Sequence, residues 1–485
     1  MTNEIEPALL GVDVGTSGVR AVAVTPTGKL LAEAEESIRH DHRAAGGIHE
    51  QDPGEWWQAV SLVAQKIVQT LKDALGKAEL RGVAVTSTSG TLVVADAQGH
   101  PLRPAILYDD GRGVEIAEEL NHQGDSPGVR LGPSFSLVKA AWVARHEPAV
   151  WERTRFLLSP ADWLSGKLTG EFGISDFTNA LKLGYDPETA SWIESVRTAG
   201  LPADRLPVVL GPGQPIGQVS KAAAAETCLS AGLPVLAGAT DGMASVIASG
   251  ASVSGDANTT LGTTLVWKVL HNGKPAAHSG IYFHLHPGGL WVPGAASNTG
   301  LGSVRRPDAL PGDSPAEMDR LAASYLPTPV VCYLLSGEGE RFPFAHPKAT
   351  SFVDGTPRDA AESYAAQLQS MAFVERWGYE ILETCGITVG GRVFSTGAAA
   401  RSPVLSQLRA TVLGKAVVLP RYPTAAFGAA ILAATGTVFA GDVVRAIQSM
   451  SAVLETYPPS SELVTAFDAI YNSFRDACAR RGYNT

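Results

Sequence analysis

The run Gly11-Val-Asp13-Val-Gly15-Thr16-Ser17-Gly18-Val-Arg20 sets an acidic residue near the end of an apolar stretch and follows it with a glycine-rich turn. Such a turn points several backbone N–H groups outward, and its glycines let an anion approach them closely. Asp13 is suited to hold a magnesium ion through water, while Gly15, Thr16, Ser17 and Arg20 are suited to phosphate oxygens. An ordinary hairpin turn explains Gly15 or Gly18 taken singly; the strand-borne carboxylate beside them favours a ligand. The run Thr259-Thr260-Leu-Gly262-Thr263-Thr264 repeats the pattern of strand, glycine and hydroxyls. It is weak alone, but with the first turn it supplies the second side of a phosphate clamp.

Two further runs complete the set. In Gly238-Ala-Thr-Asp241-Gly242 an apolar segment (residues 233–237) delivers a carboxylate just before a helix of small residues. A carboxylate so placed can accept the proton of a substrate hydroxyl as its oxygen attacks phosphorus. A helix N-cap is the commoner explanation of an isolated Asp before a helix. In Gly397-Ala398-Ala399-Ala400-Arg401-Ser402-Pro403 the small side chains leave room for a flat base and ribose, although helix packing accounts for the same alanines. Other nucleotide-binding solutions are excluded. No Gly-Lys pair is followed by Ser or Thr, and no G-x-G-x-x-G leads from a strand into a helix.

The elements that must position these residues can be read from periodicity and punctuation. Residues 9–35 alternate apolar runs with Gly- and Pro-containing turns and predict an antiparallel meander. Asp52-Pro53-Gly54-Glu55 starts a helix, Trp56, Val60, Val63, Ile67 and Leu71 follow at helical spacing, and Gly76 closes it. Strands are expected at 82–86 and 91–95 and a helix after Ser159-Pro160. The second half restarts the pattern: strand, turn, strand over 259–270, then strand, helix capped by Ser402-Pro403, strand and a helix ending at Gly436 over 392–436. Two related α/β halves, residues 1–250 and 251–485, facing each other across a ligand-binding cleft, are the expected architecture.

Bulk properties narrow the partners. A chain of 485 residues suits two or three domains, and 45% hydrophobic with 18% charged residues is a globular composition. A net charge of −10 disfavours nucleic acid and anionic membranes, so a phosphate ligand must be met by backbone donors, local cations or a metal. Cys228, Cys332, Cys385 and Cys478 match no zinc or paired-disulfide spacing, so reduced thiols and a cytoplasmic setting are expected. The N-terminal residues show no signal-peptide pattern. A homodimer is compatible with the sequence, which does not fix the oligomeric state.

With these runs in view, the chain resembles the FGGY carbohydrate kinase family over nearly its whole length. Besides both glycine-rich turns, the likeness rests on Glu50-Gln51-Asp52-Pro53 with Trp56-Trp57, Leu107-Tyr108 with Asp110-Gly111-Arg112, Leu168-Thr169-Gly170-Glu171 followed by Asp176, Asn179 and Tyr185-Asp186, Gly339-Glu340-Arg341-Phe342-Pro343, and Phe427-Gly428-Ala429-Ala430. The resemblance implies two ribonuclease H-like, actin-like ATPase domains, the first binding sugar and the second nucleotide, with ATP and magnesium. It makes Asp241 the catalytic base and Asp13 the metal residue. Gly15, Thr16, Ser17, Arg20, Gly262, Thr263, Thr264, Gly397, Ala398 and Arg401 face ATP, and Thr88, Ser89, Asp110 and Arg112 join Asp241 at the sugar.

Three departures stand out. Xylulose kinases of the family usually show Gln-Met-His-Gly where this chain has Ser87-Thr88-Ser89-Gly90, which places D-ribulose ahead of D-xylulose among ketopentoses. Gly397-Ala398-Ala399 replaces three glycines, and Ala410-Thr411 replaces Ala-Asp. Glycerol, gluconate or another polyol is the alternative substrate. An actin-like sensor that binds without transfer is the alternative class, and the Asp241 carboxylate speaks against it. His284 and His286 lie at strand spacing without acidic or cysteine partners and are assigned a structural role. Trp56 and Trp57 resemble a stacking platform, but their place in an amphipathic helix assigns Trp56 at least to the core.

Overall fold

Leu9, Leu10, Val12 and Val14 are apolar and buried, the pattern of a strand covered on both faces. In the structure, a computed structural model that describes residues 6–38, 42–75, 78–123, 130–305 and 314–484, they belong to β1 (Glu6–Val14). β1 pairs antiparallel with β2 (Gly18–Val24), and β2 with β3 (Leu30–Ser37), which is the expected meander. On its other edge β1 runs parallel to β4 (Ala78–Ser87). With β5 (Pro215–Gln218) and β6 (Pro234–Leu236) the sheet order is β5-β6-β4-β1-β2-β3.

A second sheet repeats this plan. β7 (Ala257–Leu261) pairs antiparallel with β8 (Leu265–Val269). β9 (Tyr282–Leu285) and β10 (Trp291–Ser297) extend that edge. On the other edge β11 (Arg392–Thr396) and β12 (Ala416–Pro420) run parallel, and β13 (Val453–Tyr457) closes antiparallel. In both sheets the first strand of a meander thus lies beside two parallel strands and an antiparallel edge, the recurrence that the two glycine-rich turns foreshadowed.

Helices follow their sequence signals. α1 (Pro53–Leu75) begins where Asp52 Oδ1 accepts from the Gly54 N–H at 2.8 Å, and it buries Trp56, Val60, Val63, Ile67 and Leu71 against β2 and β3. Gly76, expected to end it, lies outside the described residues. α2 (Pro160–Thr169) carries a reciprocal capping box between Ser159 and Asp162. α3 (Asp241–Ser249) follows β6, α4 (Ala360–Thr384) crosses the second core with Trp377 fully buried, and α5 (Pro403–Leu413) is capped by Ser402.

The chain divides into two compact units, residues 1–248 with 424–451 and residues 249–423 with 452–485. The sequence reading placed one boundary at 250; the structure also returns 424–451 to the first unit. The reason is α6 (Ala425–Thr437), which is apolar all round and buried from Ala425 to Thr435. It lies on β1 and β4 so closely that a Cβ on Gly11 would sit 1.9 Å from the Ala426 carbonyl oxygen. Among the described residues no helix is long and apolar enough to cross a membrane, and all four cysteines are free thiols.

Candidate active site

Asp13 stands one residue from the end of β1, in register with Arg20 on β2 and Thr86 on β4. The Thr86 hydroxyl donates to Asp13 Oδ1 at 3.0 Å. Burial, reinforced by the neighbouring Asp241 carboxylate, pushes Asp13 up to about 6 in spite of that bond and of Arg20. The turn beyond is held from behind. Gly15 N–H donates to the Gly18 carbonyl at 3.0 Å, Gln51 Nε2 donates to the Thr16 carbonyl at 2.8 Å, and Trp56 Nε1 fixes Gln51 at 3.0 Å. Glycine is required at 18, where a Cβ would meet the Glu36 carbonyl oxygen at 2.6 Å. Arg20 itself is exposed and paired with Glu35 at 3.0 Å.

Asp241 is the first residue of α3 and not its cap: the Thr240 carbonyl receives the Met243 and Ala244 N–H groups at 3.0 and 2.8 Å. Thr240 bridges to Ser87 at the end of β4, which carries the Asp241 backbone to the C-terminal edge of the sheet where β1 presents Asp13. Asp241 Oδ1 accepts from the Gly242 N–H at 2.6 Å. Two side chains outside the candidate site residues, Lys182, which no motif marked, and Tyr108, quoted in a motif without a role, interact electrostatically with it. Burial lowers the Lys182 ammonium pKa, opposed by the Asp241 charge. Burial and the Asp109 and Asp241 charges raise the Tyr108 phenol, opposed by a side-chain hydrogen bond with Thr16. Asp13, Thr16, Tyr108, Lys182 and Asp241 therefore share one electrostatic neighbourhood.

The divergent segment 87–90 is built into this wall. Ser87 Oγ accepts from the Ala161 N–H at the start of α2, and the Thr88 and Thr91 hydroxyls bond at 3.0 Å. Ser89 Oγ is buried with no hydrogen-bond partner among the described residues. Lys182 Nζ donates to the Ser89 carbonyl at 3.2 Å, and the buried Lys139 Nζ donates to the carbonyls of Gly90 and Pro133 at 2.9 and 3.0 Å. Burial, with Lys182 nearby, brings Lys139 down to about 7.

Asp110 and Arg112 are engaged with each other. Asp110 accepts from Arg112 Nε and Nη2 at 2.8 and 2.7 Å and from the His49 N–H at 2.7 Å. Arg112 also donates to Glu50 at 2.6 Å and lies 4.8 Å over the Trp142 ring. Glu50 and Gln51 thus serve two neighbours, one the Arg112 cluster and the other the Thr16 turn. Trp57 is buried and donates to Glu226 at 2.7 Å, which removes it as an open stacking platform.

In the second unit the turns at Gly262 and Gly397 cap β7 and β11. Thr260 and Thr396 hydroxyls join these strand ends at 2.9 Å. Leu301 and Gly302 N–H groups donate to the carbonyls of Gly262 and Thr263 at 2.9 and 3.1 Å, and Gly262 N–H donates to the Thr264 carbonyl at 3.1 Å. Gly397 has φ +88°, and a Cβ there would lie 2.4 Å from the Leu261 carbonyl oxygen, so the chain itself demands glycine. Gly397, Ala398 and Arg401 are exposed, while Ala399 and Ala400 are packed inside.

Beneath these turns Arg409 and Glu375, both fully buried, form a two-bond pair at 2.6 and 2.7 Å, with Thr259 donating to Glu375 and Arg409 donating to Ser395. Glu340 gives the 339–343 marker a side-chain account. It accepts from Ser297 Oγ, Tyr333 OH and the Asn298 and Arg341 N–H groups at 2.6 to 2.8 Å. His286 is buried and accepts from the Gly288 N–H at 3.0 Å, a structural role.

Among the described residues no three or more His, Cys, Asp or Glu side chains gather as a metal cage. Asp13 and Asp241 form a partly exposed pair of like charges, which suits a magnesium ion held by one or two carboxylates and completed by water and phosphate.

Comparison with known proteins gives matches to the FGGY family of carbohydrate kinases, N-terminal domain over residues 8–248 and C-terminal domain over residues 249–437. The xylulose kinase of Escherichia coli K12 is 27% identical over 84% of this chain and 85% of its own length. The glycerol kinase of Citrifermentans bemidjiense is 27% identical over 88% and 90%. The crystal structure of xylulose kinase from Rhodospirillum rubrum superposes with a TM-score of 0.85 at 26% identity, covering 98% of both chains.

Proposed function

Because the chain belongs to the FGGY family of carbohydrate kinases, with the two-domain actin-like fold of such enzymes, we propose that it moves the γ-phosphoryl group of ATP onto a hydroxyl of a ketopentose in the cytoplasm. The observation that carries this reading is the Asp241 carboxylate, delivered by β6 into the neighbourhood of Asp13, Thr16 and Lys182. Asp241 accepts the proton of the sugar hydroxyl as its oxygen bonds to the γ-phosphorus, and the bond to the bridging oxygen breaks to leave ADP. Thr16 and Ser17 address phosphate through N–H and hydroxyl groups, and Gly15, whose own N–H goes to the Gly18 carbonyl, shapes the turn that lets the phosphate approach. Gly262, Thr263, Thr264, Gly397, Ala398 and Arg401 hold the nucleotide. Asp13 would hold magnesium, and that ion when bound would supply charge neutralisation on the phosphate oxygens.

The sugar is met by Lys182 and the 87–90 segment. One of the three Lys182 N–H groups is committed to the Ser89 carbonyl, which leaves the others for a sugar oxygen, and Ser89 Oγ offers a further buried partner. Hydroxyls in place of a bulky thioether and an imidazole change the hydrogen-bond directions there. An epimer that leaves a buried polar group unpaired loses about 1–3 kcal/mol, one to two decades in rate. We place D-ribulose ahead of D-xylulose on that ground. The test is kcat/KM for both pentuloses under the same ATP and magnesium. A clear D-xylulose preference overturns the order, and turnover of glycerol or gluconate alone overturns the ketopentose assignment.

A further inference from the structure

Asp176 is buried and surrounded by donors: Thr178 N–H at 2.8 Å, Thr178 Oγ1 at 2.5 Å, Asn179 N–H at 3.1 Å and Asn179 Nδ2 at 2.5 Å. The Thr178 hydroxyl has one proton, and it goes to Asp176. Its oxygen is then left to accept, and it receives the Thr240 N–H at 2.9 Å across 62 residues of sequence. Thr240 is the residue immediately before Asp241.

We propose that Thr178 is a positioning residue for the catalytic base, its hydroxyl tying the backbone that launches Asp241 to the buried Asp176 carboxylate. The proposal rests on the reading of Asp241 as the base. Thr178 and Thr240 are 2% and 3% exposed, so water is poorly placed to substitute for either partner. The opposite side of Thr240 is fixed as well. It bridges to Ser87, whose hydroxyl is held by the Ala161 N–H in the first turn of α2. That same turn carries Asp162, whose carboxyl pKa is raised by burial and by the Asp176 charge. Two buried supports therefore converge on one peptide, and they fix the direction in which the Asp241 side chain leaves it.

The hydroxyl is separable from the packing because valine fills nearly the same volume as threonine. Thr178→Val is expected to lower kcat roughly ten- to a hundredfold, the scale of a misplacement of about 1 Å at a reacting group. KM for ATP should stay near its wild-type value, and Thr178→Ser should restore kcat. A structural role alone would lower the thermal midpoint while leaving kcat per folded molecule unchanged. That result, or a serine variant as slow as valine, overturns the proposal. If the valine variant does not fold, Thr178→Ala is read by the same two outcomes. Asp241→Asn is measured alongside. Wild-type turnover in that variant removes the base assignment itself, whereas its collapse beside an unaffected Thr178→Val removes only the tie.

Discussion

Arg409→Met should destabilise the second unit far more than the loss of a surface ion pair. Both Arg409 and Glu375 are wholly excluded from solvent, and their two hydrogen bonds of 2.6 and 2.7 Å are the short, forked kind. Removing the guanidinium strands a carboxylate in an apolar interior with the Thr259 hydroxyl as its remaining side-chain donor, and a buried charge deprived of its partner costs about 3–5 kcal/mol. Replacing both groups, Arg409→Met with Glu375→Met, removes the unpaired charge together with the pair and should cost less than either single change. Urea unfolding followed by tryptophan fluorescence reads this directly. Trp267 donates to the Glu375 carbonyl at 2.9 Å and Trp377 lies in the same helix, so the probe sits in the affected core. With a urea slope of about 2–3 kcal/mol/M, the single variant should shift the midpoint by roughly 1–2.5 M. A double variant as unstable as the sum of the singles would show that the two charges are not coupled and would refute the reasoning.

Asp13→Ala should abolish magnesium-dependent turnover with the fold retained; a magnesium titration with unchanged optimum and rate would reduce Asp13 to a turn residue. Burial and Asp176 push Asp162 up to about 8 from 3.8, so it stays protonated in the folded chain over a range in which the unfolded chain has released the proton. Its contribution is then complete below pH ~4 and is lost as pH rises through about 8. Asp162→Asn, which remains neutral and can still accept from the Ser159 N–H, should flatten the fall of the thermal midpoint across that window, and an unchanged slope would contradict the assignment. Gly11→Ala should force α6 away from β1, since its Cβ would lie 1.9 Å from one carbonyl oxygen and 2.4 Å from the Ala430 nitrogen. A loss of about 1–3 kcal/mol or more is expected in chemical denaturation, and none would mean that the helix yields freely.

What the sequence disclosed was local. Ser159-Pro160 and Ser402-Pro403 predicted helix starts because a cap and the proline at the first helical position are adjacent in the chain, and both helices are capped in the structure, the first with Asp162 completing the box. The glycine-rich turns were legible for the same reason, since the strand, the bend and the hydroxyls are adjacent in the chain. The partners of those turns were not. Thr86 meets Asp13 over 73 positions, Lys182 meets Ser89 over 93, and Thr178 meets Thr240 over 62, each fixed by strand register or tertiary packing. Parity along β4 is the one signal that points to Thr86. The return of 424–451 to the first unit left a trace in the all-apolar Ala425–Thr437, which suits a helix buried on every side without saying against which sheet.

Asp241 bears the central claim, and ADP release by wild type and by Asp241→Asn, with and without a pentulose at saturating magnesium and ATP, tests it most directly. Asparagine keeps the size of the side chain, and the Thr240 carbonyl that starts the helix is untouched, so the substitution removes the base and spares the helix. Wild type should release ADP only when sugar is present, and Asp241→Asn should cut that rate by about a thousandfold while still binding nucleotide. Sugar-independent ADP release by wild type, or near-normal turnover by the asparagine variant, would contradict the account.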